Sequence, residues 1–375
     1  MNIPFCKTSI EFISEDDIPC LPETLTGRKV LFLATQSALE RFSLENLLDT
    51  LYMECETLWY AGCAPNPEPR DICNGLAYMG DFAPDCIIAL GGGSVIDFAK
   101  AVAALGYLAE EAEPSAETII DAIRSKEYQK NKEYPDIIAV PTTAGTGSEL
   151  TQWSTIWDMN NQHKYSIDTL GLKPKRALMC PELTYSMPKR LTLVSGLDSV
   201  SHALEAYWAK RTTPLVQELS KQSLTLSVKH LKSALETPND RIAREYVFRA
   251  SILSGLAFSQ TRTAACHSIS YPLTCHFDIE HGLAAAVTLA EVFQKNRQAL
   301  RFSSEVDEIF SDYCGIQGWL DYVCDGIIWL RLSSFGVGAH DLEILAAQSF
   351  TAGRMDNNPV DFSRWDVLRI LEAVL

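Results

Sequence analysis

Short apolar runs alternate with helical stripes in the first half of the chain. Mostly apolar runs predict buried strands at residues 28–35, 85–90 and 136–140. The first run is followed by apolar residues at helical spacing over residues 37–51, and the second by a helix that opens near Val95. Since strands that alternate with helices imply a parallel sheet covered by helices, we predict an α/β fold for this half.

The pattern of apolar positions changes after the third strand. Residues 151–157 alternate like an exposed strand, and residues 163–167 can pair back on them as a hairpin. Helical spacing then continues almost throughout from Pro181, most clearly over residues 215–235 and 242–258. We therefore expect an α/β domain over residues 1–180 and an all-α domain over residues 181–375.

Composition limits the classes of partner and the cellular location. A chain of 375 residues exceeds one typical core, which agrees with two domains. The net charge of −16 argues against nucleic acid and anionic membranes as partners, because both need a basic face. Residues 1–9 lack the features of a signal peptide, and no apolar stretch reaches the ~18 residues of a membrane span. We expect a cytoplasmic protein.

The chain has eleven cysteines, an odd number without any Cys-x-x-Cys spacing. Such a set suits buried thiols in a reducing compartment better than a disulfide framework. Cys266 and Cys275 lie beside candidate metal ligands, but we interpret both as packing residues.

Four residues in two segments are candidates for one metal centre. Asp198 and His202 lie four residues apart on a predicted helix over residues 196–207, so both fall on one face. If Pro272 ends one helix and His281 opens the next, His267 and His281 can both face that pair. Nitrogen and oxygen ligands without thiolates suit a catalytic ion such as Fe, Zn, Mn or Co.

An aspartate four residues before a histidine is more often only a surface helical pair. Two observations favour the metal interpretation here. The four residues lie among apolar neighbours, where an unpaired charge would be costly. Three of the seven histidines of the chain are also among these four candidate ligands.

Two glycine-rich turns follow predicted strands. The strand at residues 85–90 runs into Gly91, Gly92, Gly93 and Ser94 at the start of a helix, where bare backbone N–H groups can receive a diphosphate. A second loop over residues 141–149 combines two glycines with four hydroxyl side chains at another strand end. Either turn alone could be purely structural, and the Gly-x-Gly-x-x-Gly spacing is absent. The two together favour a nucleotide site.

These motifs, in this order along residues 85–282, resemble the iron-containing (group III) alcohol dehydrogenases. The resemblance implies a dehydroquinate synthase-like architecture, in which a Rossmann-like dinucleotide-binding domain and an all-helical catalytic domain enclose a cleft for NAD or NADP and for Fe²⁺ or Zn²⁺. By position, the implied metal ligands are Asp198, His202, His267 and His281. The implied cofactor-binding residues are Gly92, Gly93, Ser94, Asp97, Thr142, Thr143, Thr146 and Lys164.

The chain departs from the family pattern at two places. Tyr271 stands where many members have a second histidine, so the catalytic proton would come from Tyr271, His276, a cofactor ribose hydroxyl or water. The first strand ends in Thr35, Gln36 and Ser37 without the aspartate that disfavours the 2′-phosphate of NADP. The choice between the two cofactors therefore stays open.

The resemblance implies hydride transfer between nicotinamide and a small alcohol or aldehyde. Within the family, residues 268–277 and 354–359 are most similar to phosphonoacetaldehyde reductases. Arg262, His276 and Arg354 are candidates to bind such an anionic substrate. The resemblance further implies a homodimer or a larger homo-oligomer. The alternatives are a lyase or cyclase on the same scaffold, and a nucleotide- or metal-binding protein without catalytic activity.

Overall fold

The protein divides into two compact units. The structure, a computed structural model, describes residues 7–110, 114–131 and 133–375, so most of the N-terminal stretch examined for a signal peptide lies outside the described residues. The first unit contains the described residues up to Thr143 together with Ser148–Thr184. The second contains Ala144–Gly147 and Tyr185–Leu375. Four residues of the second glycine-rich loop thus cluster with the second unit.

Parallel strands form the centre of the first unit. The strands of this unit in the described residues are β1 (Ser9–Phe12), β2 (Lys29–Leu33), β3 (Glu56–Tyr60), β4 (Cys86–Gly91), β5 (Asp136–Pro141), β6 (Trp153–Asp158), β7 (His163–Asp168) and β8 (Arg176–Met179). Six of them pair in the order β1-β8-β5-β4-β2-β3, with every neighbour parallel, and β6 and β7 form an antiparallel hairpin. The predicted parallel sheet and hairpin are confirmed. The exposed position predicted for the first hairpin strand is wrong, because β6 is mostly buried and its Ile156 belongs to the hydrophobic core.

Helices cover both faces of this sheet. The α-helices described in this unit are α1 (Gln36–Phe42), α2 (Glu45–Glu54), α3 (Pro69–Met79), α4 (Gly93–Leu105) and α5 (Ala116–Ser125). The single helix predicted over residues 37–51 is wrong, because Ser43 adopts a left-handed conformation with φ 52°. Its backbone N–H closes α1 on Leu39 and Glu40, and a second helix then begins.

The second unit is helical, as predicted. Its described α-helices are α6 (Lys189–Trp208), α7 (Pro214–Glu236), α8 (Arg241–Thr261), α9 (Ala265–Phe277), α10 (His281–Ala286), α11 (Leu289–Asn296), α12 (Ser303–Ile309), α13 (Ile316–Cys324), α14 (Leu342–Gln348) and α15 (Arg364–Ala373). The helices α6 and α7 approach closely at Gly196, where a Cβ atom would lie 2.6 Å from Leu231. Across the described residues, we find no helix that combines the length and the apolar character needed to cross a bilayer.

Pro272 does not end a helix. It lies inside α9, which continues for five more residues to Phe277. The helix ends where Asp278 turns left-handed with φ 51° and its N–H bonds to Thr274. A proline removes only one helical hydrogen bond, and a helix whose sides are buried can absorb that cost of about 3 kcal/mol. The other half of this prediction is confirmed, since His281 opens α10.

Candidate metal centre and nucleotide-binding turn

Helix α6 presents three ionisable side chains on one face. Asp198, His202 and Glu205 follow one another at spacings of four and three residues, which places them in one row along the helix. Their exposed fractions are 5%, 5% and 0%. Since an unpaired buried carboxylate is costly, each acid requires a partner of positive charge or strong hydrogen-bond donors.

The helices α9 and α10 bring two more histidines to this row. One ligand atom from each of Asp198, His267 and His281 lies within 4.8 Å of the other two. Gly282 permits this approach, because a Cβ atom there would lie 2.0 Å from the carbonyl oxygen of Val194 on α6. The structure thus gathers three of the four predicted metal ligands at one point.

The fourth predicted ligand, His202, contacts two members of this group, Asp198 and His267. Its Nε2 lies 3.7 Å from Asp198 Oδ1, and its Nδ1 lies 3.3 Å from the carbonyl oxygen of Gly145. The imidazole ring stacks between the rings of Phe258 and His267, with centroids 4.0 and 4.6 Å away. Its orientation is therefore fixed by packing.

The cluster offers atoms that suit a cation. Among the described residues, neither Asp198 Oδ1 nor His267 Nε2 has a hydrogen-bond partner, although both are buried and lie 3.4 Å apart. Glu205 accepts a hydrogen bond from His267 Nδ1 at 2.5 Å, which leaves Nε2 as the atom facing Asp198. A carboxylate behind a ligating histidine is the usual support of a protein metal site. The residues present therefore fit a divalent metal ion.

The pKa values of these groups reflect strong interactions between buried charges. Burial alone would raise the pKa of Asp198, but His202, His267 and His281 hold it below its ordinary value. Burial would lower the pKa of His267, whereas Glu205 and Asp198 raise it to about 10. Burial lowers the pKa of His202 to about 4. The positive charge of a divalent ion would stabilise the same two buried carboxylates, Asp198 and Glu205.

The candidate phosphate turn lies at the carboxyl ends of two adjacent strands. In the pairing of β4 with β5, Gly91 stands opposite Pro141, so the segments that follow each strand leave the sheet side by side. Gly92 is the N-cap of α4, and a Cβ atom there would lie 3.2 Å from Thr143. Backbone N–H groups at the start of this helix suit an anionic phosphate. Gly92, Gly93, Ser94, Thr142 and Thr143 are all at this edge.

The carboxylate of Asp97 is occupied by protein groups. It accepts hydrogen bonds from the Ser148 hydroxyl and, at 3.0 Å, from the backbone N–H of Thr155. Lys100, which is fully buried, lies 3.7 Å from the same carboxylate and donates to Ser148 O and Trp153 O. Burial lowers the pKa of Lys100 to about 8. These bonds fasten α4 to the chain that follows the second glycine-rich loop.

The remaining predicted residues are more scattered. Lys164 lies on β7, with its Nζ 5.8 Å from the ring of Trp157. Thr146 clusters with the second unit. Tyr271 is buried on α9, with its ring 6.0 Å from that of His281. His276 lies near the end of α9, where its Nε2 is 2.5 Å from Gln348 Oε1.

Cys266 and Cys275 are buried, as packing residues are, and burial raises the pKa of the Cys266 thiol well above its usual range. The ten cysteines within the described residues form no disulfide.

Two residues of these sites were not predicted from the sequence. Glu205 has a sequence signal, because it lies seven residues after Asp198 on the same helical face. Lys100 gives no such signal, since a lysine within a helix normally marks a solvent-facing position.

A parallel sheet with a glycine turn at a helix N-terminus, followed in the same chain by a helical unit, places this protein among chains that combine an α/β part with an all-α part. Two family models match the chain. The model for iron-containing alcohol dehydrogenase matches residues 12–181, and the C-terminal model of the Fe-containing alcohol dehydrogenase family matches residues 192–324. The chain belongs to the iron-containing alcohol dehydrogenase family. It is an NAD(P)-dependent alcohol dehydrogenase, and the family implies a metal ion.

Named relatives of this family use several small substrates. The chain is 32% identical over 276 residues to an NADPH-dependent butanol dehydrogenase of Clostridium saccharobutylicum, covering 73% of this chain and 69% of the relative. It is 35% identical over 213 residues to a phosphonoacetaldehyde reductase of Streptomyces viridochromogenes, covering 56% and 53%. The structure of a sulfoacetaldehyde reductase from Bifidobacterium kashiwanohense in complex with NAD⁺ is 26% identical, with a TM-score of 0.82 and coverage of 98% and 97%.

Proposed function

We propose that this enzyme reduces small aldehydes, with phosphonoacetaldehyde as one candidate substrate, by hydride transfer from NADH or NADPH at a metal centre. The observation that carries the proposal is the pair of buried atoms without hydrogen-bond partners in the described residues, Asp198 Oδ1 and His267 Nε2, which lie 3.4 Å apart. Buried polar atoms without hydrogen-bond partners are costly, and neither of these atoms is exposed to water. A cation bound between them would remove that cost.

Asp198, His267 and His281 would hold Fe²⁺ or Zn²⁺, with His202, whose Nε2 lies 3.7 Å from Asp198 Oδ1, as the fourth ligand. When bound, this ion supplies Lewis acidity to a substrate oxygen and so favours the alkoxide form of the alcohol. Glu205 keeps the proton of His267 on Nδ1, so that Nε2 faces the ion. The ring of Phe258 covers one face of His202 and keeps water from it.

The cofactor would bind in the first unit. The N–H groups at Gly93 and Ser94 and the hydroxyls of Thr142 and Thr143 would receive the diphosphate, because they stand together at the ends of β4 and β5. The carboxylate oxygens of Asp97 already accept hydrogen bonds from protein groups. We therefore propose that Asp97 supports cofactor binding mainly by holding α4 in place. Thr146 and Lys164 complete the proposed cofactor set.

Tyr271 is our first candidate for the proton donor. Its side chain is 7% exposed and its ring lies beside that of His281. His276 is a weaker candidate, because its Nε2 is already paired with Gln348. A ribose hydroxyl or water would serve if Tyr271→Phe retained its turnover.

The test is a screen of neutral and anionic aldehydes, including phosphonoacetaldehyde, with NADH and NADPH. The protein is first stripped of metal and then supplied with Fe²⁺ or Zn²⁺. We expect stoichiometric oxidation of the cofactor that depends on metal and is abolished in Asp198→Ala and His267→Ala, while both variants still bind cofactor. Full turnover by either variant, shown free of metal, would refute the proposal. A reaction that consumes substrate without net cofactor oxidation would instead indicate a lyase or cyclase.

A cytoplasmic location and a homodimer also belong to this proposal. The odd number of cysteines and their lack of Cys-x-x-Cys spacing support the former, and the dimer rests on the family alone. Light scattering of the purified protein measures the oligomeric state directly.

A further inference from the structure

Arg262 adopts a backbone conformation that arginine rarely takes. It directly follows α8 with φ 68° and ψ 176°. This region of backbone angles is occupied almost only by glycine, because a Cβ atom crowds the chain there. Strain of this kind persists only where surrounding contacts impose it, and it is concentrated at functional sites.

A buried amide holds Arg262 in this conformation. Asn357 Nδ2 donates to the carbonyl oxygens of Thr261 and Thr263, at 2.9 and 3.0 Å, on either side of the arginine. The hydroxyl of Thr261 also donates to the carbonyl oxygen of Arg262 at 2.8 Å. The backbone of the turn is thus fixed from both sides, and the position of the Arg262 Cβ atom with it.

This turn adjoins the proposed metal centre within the second unit. The backbone N–H of Arg262 donates to the carbonyl oxygen of Phe258, whose ring stacks on His202. Two residues later, the N–H of Ala264 donates to Glu205 at 2.9 Å. Arg262 therefore lies between Phe258, which packs on one proposed metal ligand, and Ala264, which bonds to the carboxylate that supports another.

Two guanidinium groups meet at Gly353. A Cβ atom at this residue would lie 3.3 Å from Arg262 Nη1, and Arg354 Nη1 donates to the carbonyl oxygen of Gly353 at 3.2 Å. Both arginines are half-buried, so water screens their charges less than at an open surface. Guanidinium groups match the oxygens of phosphonate and sulfonate in geometry and charge.

We propose that Arg262, with Arg354 beside it, is a specificity-determining residue that binds the phosphonate or sulfonate group of an aldehyde substrate. This inference rests on the proposed aldehyde reductase function and names its substrate class. A role in substrate binding explains why an arginine occupies a backbone conformation in which glycine would be less strained. His276 is not part of this subsite, because its ring nitrogen is engaged by Gln348.

The test compares kcat/KM for propanal, sulfoacetaldehyde and phosphonoacetaldehyde in the metal-loaded enzyme and in Arg262→Gly. Glycine suits the backbone angles of this position, so the variant is expected to fold with an unchanged or raised Tm. We expect kcat/KM to fall roughly 10- to 100-fold for the anionic aldehydes, the loss of one charged hydrogen bond, and to stay within about twofold for propanal. Arg354→Gln should give a smaller loss of the same selectivity.

The control is Arg249→Gln, on the same helix α8 but half exposed and paired with Glu245. This variant should leave kcat/KM unchanged for both propanal and the anionic aldehydes. Equal losses for propanal and the anionic aldehydes in Arg262→Gly, or no loss for the anions, would overturn the anion subsite while leaving the reductase function intact. Absence of turnover with every aldehyde in the wild type would overturn the proposed function itself. The ratio between sulfoacetaldehyde and phosphonoacetaldehyde identifies which anion the site prefers.

Discussion

Replacement of Glu205 by glutamine tests the support behind the metal centre. The carboxylate accepts four hydrogen bonds: Oε1 from the N–H groups of Cys266 and His267, and Oε2 from the N–H of Ala264 and from His267 Nδ1. Glutamine has the same shape but replaces one of these oxygens with an NH₂ group. Each oxygen accepts two hydrogen bonds, so whichever oxygen is replaced, two N–H donors of the protein then face the new NH₂ group, which is itself a donor.

The structure sets the size of the effect. Two buried donors left without acceptors cost about 1–3 kcal/mol each, so the free energy of unfolding should fall by about 2–6 kcal/mol. If the NH₂ group faces His267, the imidazole can accept at Nδ1 only by moving its proton to Nε2, the atom turned toward Asp198. The metal affinity should then fall by about 10- to 100-fold.

The assay measures urea unfolding of the metal-free protein and metal affinity by competition with a chromogenic chelator. Glu343→Gln is the matched control, because this exposed glutamate of α14 forms a surface ion pair with Arg364, which is also exposed. If Glu205→Gln unfolded within about 0.5 kcal/mol of the wild type and bound metal equally well, the role assigned to Glu205 would be wrong.

Three further predictions concern other parts of the protein. Gly282→Ala should lower the Tm and the metal affinity, because its Cβ would lie 2.0 Å from the Val194 oxygen and push α10 away; melting curves with and without Zn²⁺ measure both effects. Burial raises the pKa of Glu149 to about 7 from 4.5, so the folded state holds an extra proton in this range. The wild type should therefore lose up to about 3 kcal/mol of stability as the pH rises from 4.5 to 7, and unfolding of Glu149→Gln should lack that loss. Gln36→Asp places a carboxylate at the first position of α1 and should lower kcat/KM for NADPH relative to NADH by about tenfold, as kinetics with both cofactors would show.

Each of these variants has an outcome that contradicts its reasoning. Gly106→Ala, where the added Cβ would make an ordinary 3.5 Å contact with Met79, is the control for Gly282→Ala and should retain its Tm. Equal losses in both variants would mean that the clash at Val194 is not the cause. Parallel pH profiles for the wild type and Glu149→Gln would place the titrating group elsewhere. An unchanged cofactor ratio in Gln36→Asp would show that the ribose end binds away from this position.

The architecture followed from the sequence because each signal was local. The central strands β2, β4 and β5 are continuous apolar runs, as buried parallel strands are, and the edge strands β1 and β3 are more polar and escaped prediction. Helical period alone placed Asp198 and His202 on one face. It could not show that this face is buried, since burial depends on distant helices.

The failures have tertiary causes. Helix α9 is buried from Ala265 to Cys275, so its packing holds the helix through Pro272 until it ends at the left-handed Asp278. Lys100 is buried because α4 is enclosed on nearly every side, which nothing within its own segment of sequence reveals. The strain at Arg262 likewise requires Asn357, a residue almost a hundred positions away.

The placement of Ala144–Gly147 has a consequence for dissecting this protein. A fragment that begins at Tyr185 would contain every proposed metal ligand but would lack Gly145, whose carbonyl oxygen faces His202. It would also leave open the space beside Phe258 where Gly147 packs. Recombination at residue 185 would therefore not transfer a complete helical unit. Ala144–Gly147, which precede this point in the chain, complete the interior of that unit.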